Sequence, residues 1–90
     1  MKVTITAVVF QKDALAEYRQ WSLDDSKVFA KINNFIDEIL RDPFHGTGKP
    51  EPLKYDLAGY WSRRITDEHR LVYKVAGAQL IIHSCKFHYQ

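Results

Sequence analysis

The chain has a single cysteine, Cys85. That excludes an internal disulfide framework and suits the cytoplasm. It also lacks any apolar run near the length of a membrane span, which removes a helical membrane protein. The N-terminus, Met-Lys-Val-Thr-Ile-Thr-Ala-Val-Val-Phe, holds one Lys and a short alternating apolar stretch. It reads as a first strand and not as a signal peptide with a cleavage site. Repeats, low-complexity tracts and interdomain linkers are missing too, so residues 1–90 are read as one domain with a small core. Proline is confined to three positions, Pro43, Pro50 and Pro52, all within one stretch. Gly46-Thr47-Gly48-Lys49 lacks the spacing of a Walker loop, so nucleotide hydrolysis is unsupported.

Hydrophobic residues make up 46% of the chain and aromatics 13%, which argues for a packed core and against disorder. Net charge is only +2 but unevenly spread. Residues 1–48 carry six Lys/Arg against seven Asp/Glu; residues 49–90 carry seven against four. The basic surplus in the second half favours a polyanionic partner.

Residues 2–9 read as a strand from their β-branched members Val3, Thr4, Ile5, Thr6, Val8 and Val9. A short helix is predicted from Asp13 to about Trp21, with Ala14, Leu15, Tyr18 and Trp21 on one side. Asp24 is the expected N-cap of a second helix over 25–41, whose apolar stripe is Val28, Ile32, Phe35, Ile36 and Ile39. Asp42-Pro43 ends it, because the residue before proline avoids helical geometry. Residues 43–58 form the longest irregular stretch, a loop of the kind that carries function. Three short strands follow, over about 59–65, 71–75 and 79–87, at hairpin-like spacings. The expectation is an α+β domain in the order β-α-α-β-β-β, two N-terminal helices packed on a mainly antiparallel four-stranded sheet.

Strand alternation sorts the side chains. Ser62, Arg64, Arg70, Lys74, Ser84, Lys86 and His88 are expected on one open, solvated face. Leu71, Tyr73, Val75, Ile81, His83, Cys85 and Phe87 are expected to pack on the helices. The result is a concave basic surface, with Glu51 supplied by the long loop between Lys49 and Lys54. Arg63, Arg64 and Arg70 lie within eight positions and suggest an anion site. A carboxylate, guanidiniums and a histidine suit phosphodiester cleavage through a 2′-hydroxyl: one group takes the proton, one returns it, and cations hold the charge on phosphorus. Tyr89 could stack on a base or position a phosphate, and it could equally cap the core. A metal site at His83, Cys85 and His88 is rejected, because alternation splits the three between two faces and no second Cys completes a tetrahedron. Cys85 reads as a core residue, and His45 and His69, both in turns, receive no role.

Several runs carry a family likeness: Pro43-Phe44, Gly48-Lys49-Pro50-Glu51-Pro52-Leu53-Lys54, Trp61-Ser62-Arg63-Arg64-Ile65, Glu68-His69-Arg70-Leu71-Val72-Tyr73 and His88-Tyr89. Across essentially the whole chain they resemble the YoeB toxins, the Txe/YoeB branch of the RelE-like toxins of bacterial toxin–antitoxin pairs. The resemblance implies a RelE-like microbial RNase fold with a twisted sheet. It implies an endoribonuclease that enters the ribosomal A site and cuts the bound mRNA; attack through the 2′-hydroxyl needs no metal, and no cofactor is expected. It implies a YefM-like antitoxin whose flexible C-terminal part covers the active face, operator DNA bound only through the antitoxin complex, and a possible homodimer. Position by position, Glu51 matches the family's general base, His88 its general acid and Arg70 the arginine that stabilises the transition state. Lys49, Lys54, Arg64 and Tyr89 match supporting positions around phosphate and base. Two departures stand out: His45 replaces an acidic residue, and Gln90 extends the chain past the usual terminal Tyr. Two other readings remain beside this one: a RelE/ParE-fold toxin that binds a protein target such as gyrase without cutting RNA, and a basic RNA-binding module.

Overall fold

The computed structural model describes residues 4–87. The predicted second helix is the clearest element. Val28, Ile32, Phe35, Ile36 and Ile39 recur at i, i+4, i+7, i+8 and i+11, and all five are buried. The first helix, α1 (Lys12–Asp24), runs three residues beyond Trp21, so Asp24 is its last residue and not a cap. Gln20 Nε2 donates to the Asp24 carboxylate from one turn back. Asp25 alone is extended, with φ −155° and ψ 97°, and it both ends α1 and caps α2 (Ser26–Arg41). Its carboxylate accepts from the amides of Lys27 and Val28, each at 3.1 Å. A cap of this kind contributes about 1 kcal/mol. Asp42 is extended ahead of Pro43, as its position requires.

The sheet has five strands where four were expected. β1 (Ala7–Phe10) is shorter than predicted and pairs in parallel with β5 (Gln79–Ser84). The fifth strand is β2 (Glu51–Pro52), inside the stretch read as a loop. Two prolines hid it, since proline lacks the ladder donor and is confined to edges. β2 is an edge strand: the order is β1-β5-β4-β3-β2, with β3 Trp61–Arg64 and β4 Arg70–Ala76. Every pairing except β1–β5 is antiparallel. A short 3₁₀ turn, Tyr55–Leu57, links β2 to β3.

The core lies between the helices and one face of this sheet. It holds the α2 stripe, Ala14 and Trp21 of α1, and Ile65, Leu71, Tyr73, Leu80, Ile82 and Cys85. Leu80 and Ile82, not Ile81 and His83, face the helices. The alternation fails because the β4–β5 ladder slips by one residue between Val72 and Tyr73: Tyr73 pairs with Ile82, but Val72 pairs with Ser84. A bulge inverts the parity of the residues beyond it. His83 consequently sits beside Tyr60, ring centroids 5.0 Å apart, with Nδ1 2.6 Å from Gln11 Oε1. Ser84 stays on the open face by virtue of the same slip.

Arg63 points into the core face and is fully buried. Its guanidinium donates to Glu38 Oε1 at 2.9 Å, to Tyr73 Oη at 3.2 Å and to the carbonyls of Asp42, His45 and Thr47. One buried cation thereby folds residues 42–48 onto β3. Gly48 makes the close approach possible: its φ is +80°, and a Cβ there would lie 2.7 Å from the Phe35 ring. The Gly48 carbonyl then accepts from the Arg64 amide at 2.7 Å, which delivers the chain to the sheet edge where β2 begins.

Candidate active site

The register places the predicted residues on one face. Glu51 pairs with Ser62, Ser62 with Val72, and Val72 with Ser84, forming one row across four strands. The next row sets Arg64 directly opposite Arg70. Two strand spacings put the backbones of Glu51 and Val72 about 10 Å apart, with Arg70 two residues along β4 on the same face. Glu51 therefore belongs to a strand of the face itself rather than to a loop hanging over it, and its side chain is exposed. The middle of the face is less solvated than alternation predicts: Ser62 and Val72 are buried. Both are short, and each is flanked at i±2 by longer residues, Tyr60 and Arg64 or Arg70 and Lys74.

Arg63 is not part of this cation group, because it is used in the core. Arg64 and Arg70 are like charges opposed across two strands, an arrangement that destabilises a sheet unless an anion joins them. Among the described residues neither forms an ion pair with a carboxylate. The β3–β4 turn aims Arg70. Thr66 Oγ1 accepts from the amides of Glu68 and His69 and tightens the turn. Its carbonyls then converge: Arg70 Nη1 donates to Thr66 O at 2.7 Å, His69 O at 3.1 Å and Asp67 O at 3.2 Å. One end of the guanidinium is thus fixed, and the remaining donors are not used by the described residues.

Backbone strain collects here. Among the described residues, three that are not glycine adopt left-handed φ: Lys49 at 52°, Tyr55 at 58° and Phe87 at 62°. Such conformations cost of order 1–3 kcal/mol each and cluster at functional sites. Lys49 and Tyr55 bracket β2, which carries Glu51, and Phe87 immediately precedes His88. Glu51, Lys54, Tyr55 and their neighbours through Leu57 line a groove of about 390 Å³, and the Tyr55 side chain stands 91% exposed at its side. The exposed Lys49 and Lys54 lie on either side of Glu51 in the chain. His88, Tyr89 and Gln90 lie outside the described residues.

Lys86 does not join the polar face. The regular strand ends at Ser84, and Lys86 Nζ sits 5.8 Å from the Trp21 ring and 5.2 Å from the Phe87 ring. Cys85 is buried, and burial, reinforced by the nearby Glu17 carboxylate, pushes its thiol up to about 12, which makes it inert as a nucleophile. His45 is exposed with Nδ1 3.1 Å from the Asp42 carboxylate; that hydrogen bond and the Phe44 amide hold Asp42 below its usual range. His69, given no role by sequence, contacts the chain just ahead of His88.

Comparison with known proteins settles the lineage. A family model described as the YoeB-like toxin of bacterial type II toxin–antitoxin systems matches residues 10–89. The chain belongs to the YoeB-like toxins. Toxin YoeB of Streptomyces coelicolor is 52% identical over 82 residues, covering 91% of this chain and 98% of that protein. The solved YoeB/ParE toxin from Agrobacterium tumefaciens superposes with a TM-score of 0.91 at 48% identity, over 93% of this chain and all of that one. A chain of the YoeB–YefM complex from Staphylococcus aureus gives 0.86 at 42% identity, over 94% of this chain and 98% of that one. The chain is thus a toxin of a type II toxin–antitoxin system. Among the described residues no helix is long and apolar enough to cross a membrane.

Proposed function

We propose that this toxin is a ribosome-dependent endoribonuclease, an mRNA interferase that cuts mRNA in the A site and so halts translation. The carrying observation is the Arg64–Arg70 pair, unpartnered by any carboxylate of the described residues and one row from Glu51. A backbone phosphate at this pair would relieve the repulsion, with Glu51 near the preceding ribose. Glu51 takes the 2′-hydroxyl proton, the alkoxide attacks phosphorus, Arg70 holds the charge on the phosphorane, and His88 protonates the leaving 5′-oxygen. The products are a 2′,3′-cyclic phosphate and a 5′-hydroxyl; the sequence of steps uses neither water nor metal. Lys49, Lys54 and Arg64 hold flanking phosphates, and Tyr89 stacks on a base. The surface is open rather than a deep cleft, so the ribosome supplies the ordering of the mRNA.

Residues 1–90 act as one toxin domain in the cytoplasm. A YefM-like antitoxin neutralises it by covering the basic face, and operator DNA is met only through that complex. A second copy of the chain is a further partner. Three substitutions test the reading in single-turnover cleavage on programmed ribosomes. Arg70→Ala should slow cutting by roughly a hundred- to a thousand-fold, the effect of losing one transition-state contact worth about 3–4 kcal/mol. His88→Gln and Glu51→Gln should slow it as well, while all three variants fold and bind antitoxin. Unchanged cutting by Arg70→Ala and His88→Gln would show the site to be wrong.

A further inference from the structure

Phe87, the last described residue, is held by both of its backbone polar groups. Its amide donates to His69 Nδ1 at 2.7 Å, and its carbonyl accepts from the Arg70 amide at 3.1 Å. The last residue of the β3–β4 connection and the first of β4 thus clamp a residue whose φ is +62°. The stretch leading to it is fixed as well: Cys85 donates its amide to Glu17 Oε1 at 2.8 Å and accepts from Trp21 Nε1 at 2.8 Å. The His69 ring stands edge-on to Trp21, centroids 4.9 Å apart, and 5.6 Å from the Phe87 ring. A backbone N–H can only donate, so Nδ1 must present its lone pair. That bond leaves Nε2 as the ring's own donor, on the side that faces Glu68 Oε1 at 3.7 Å.

We propose that His69 is a positioning residue for the cleavage reaction. By accepting from Phe87 it keeps that residue in the left-handed region and so holds the backbone immediately before His88 in the sequence. Arg70 is the next residue after His69, so one turn would set both the cation and the approach of the acid. A phenylalanine in this place fills similar space but has no acceptor. The Phe87 amide would lose its partner, and a strained φ persists only where its surroundings over-determine it. The inference rests on the reading of His88 as general acid.

The test compares the unmutated toxin with His69→Phe, His69→Asn, His88→Gln and the double variant His69→Phe/His88→Gln, by single-turnover cutting on saturating programmed ribosomes. His69→Phe should lower the rate constant roughly tenfold or more with ribosome affinity unchanged, since small misplacements of a reacting group are costly. His69→Asn, whose Oδ1 takes the place of Nδ1, should recover most of that loss. On the His88→Gln background His69→Phe should cost nothing more, because both act through one group. Additive losses in the double variant, or an Asn variant as slow as the Phe variant, would overturn the inference. A slow His88→Gln with a fast His69→Phe overturns the positioning role alone; a fast His88→Gln removes the acid assignment and this inference with it. Should His69→Phe not fold, nitrogen NMR of the unmutated toxin decides. A coupling across the Phe87 N–H to His69 Nδ1 supports the proposal, and a protonated Nδ1 overturns it.

Discussion

Arg63 and Arg64 are neighbours with opposite fates, and replacing each by methionine should separate stability from activity. Methionine keeps most of the aliphatic stem and removes the guanidinium. At Arg63 that deletes a fully buried cation and its bonds to Glu38, Tyr73 and three loop carbonyls. Removing one partner of a buried pair costs roughly 3–5 kcal/mol, because the other is left uncompensated. Glu38 is softened against this loss: its side chain is 24% exposed and keeps both bonds from Thr47, at 2.9 and 2.6 Å. The low end, about 3 kcal/mol, is the appropriate figure. For a domain of this size it corresponds to a fall in Tm of roughly 12–24 °C. Arg64 is exposed, and its side chain makes no hydrogen bond to the described residues. Arg64→Met should change stability by no more than about 0.5 kcal/mol yet slow mRNA cutting. Thermal melts by far-UV circular dichroism read the first effect, ribosome cleavage the second. Should Arg63→Met melt within a few degrees of the unmutated protein, or Arg64→Met melt as low as Arg63→Met, the division into core and site arginines is mistaken.

Acid should act through Glu38. Hydrogen bonds from the Thr47 hydroxyl and amide, with the Arg63 charge, hold its carboxyl below the ordinary 4.5. A folded-state value below the unfolded one gives stability that is full above the unfolded value and lost as pH falls through the folded one. Urea midpoints should therefore decline as pH falls below the ordinary carboxyl value, and Glu38→Gln should flatten that limb; an equally steep limb in the variant would point to other carboxylates. The Cys85 thiol should ignore Ellman's reagent at about pH 8 in the native protein and react fully in guanidinium, whereas prompt native reaction would mean that the tail segment opens.

Some elements were legible because one physical rule governs them. The α2 stripe, Val28 to Ile39, is pure helical periodicity, and Asp42-Pro43 is a stop that nothing in the core contests. The face is legible in β3 and β4, where alternation is unbroken, so Ser62, Arg64 and Arg70 share it, although Ser62 is buried at its middle and not solvated. Alternation fails in β5, where a one-residue slip set by pairing with β4 reverses Leu80 to His83. Local sequence does not encode such a slip. β2 was masked by its own prolines, which break strands except at an edge, and edge status is a property of the whole sheet. The burial of Arg63 was invisible for a related reason: its acceptors are loop carbonyls and a helix carboxylate that converge only in the folded chain. Glu51, Arg70 and His88 stand out in the sequence as a carboxylate, a guanidinium and a histidine in its basic half, and motif likeness adds a role to each. The turn carbonyls that aim Arg70, and the His69 contact with Phe87, needed the structure.

The central claim is RNA cleavage on the ribosome, and one measurement addresses it directly. The purified toxin is added to ribosomes carrying a defined mRNA, and to the same mRNA free in solution. Cut positions are mapped and both new ends are identified. The account predicts cuts within the A-site codon, a 3′ end bearing a cyclic phosphate or its opened form, a 5′-hydroxyl that accepts label from polynucleotide kinase without phosphatase treatment, and far weaker cutting of the free RNA. An intact mRNA on ribosomes exposed to folded toxin would contradict the account, as would 5′-phosphate ends or equal cutting of the two substrates.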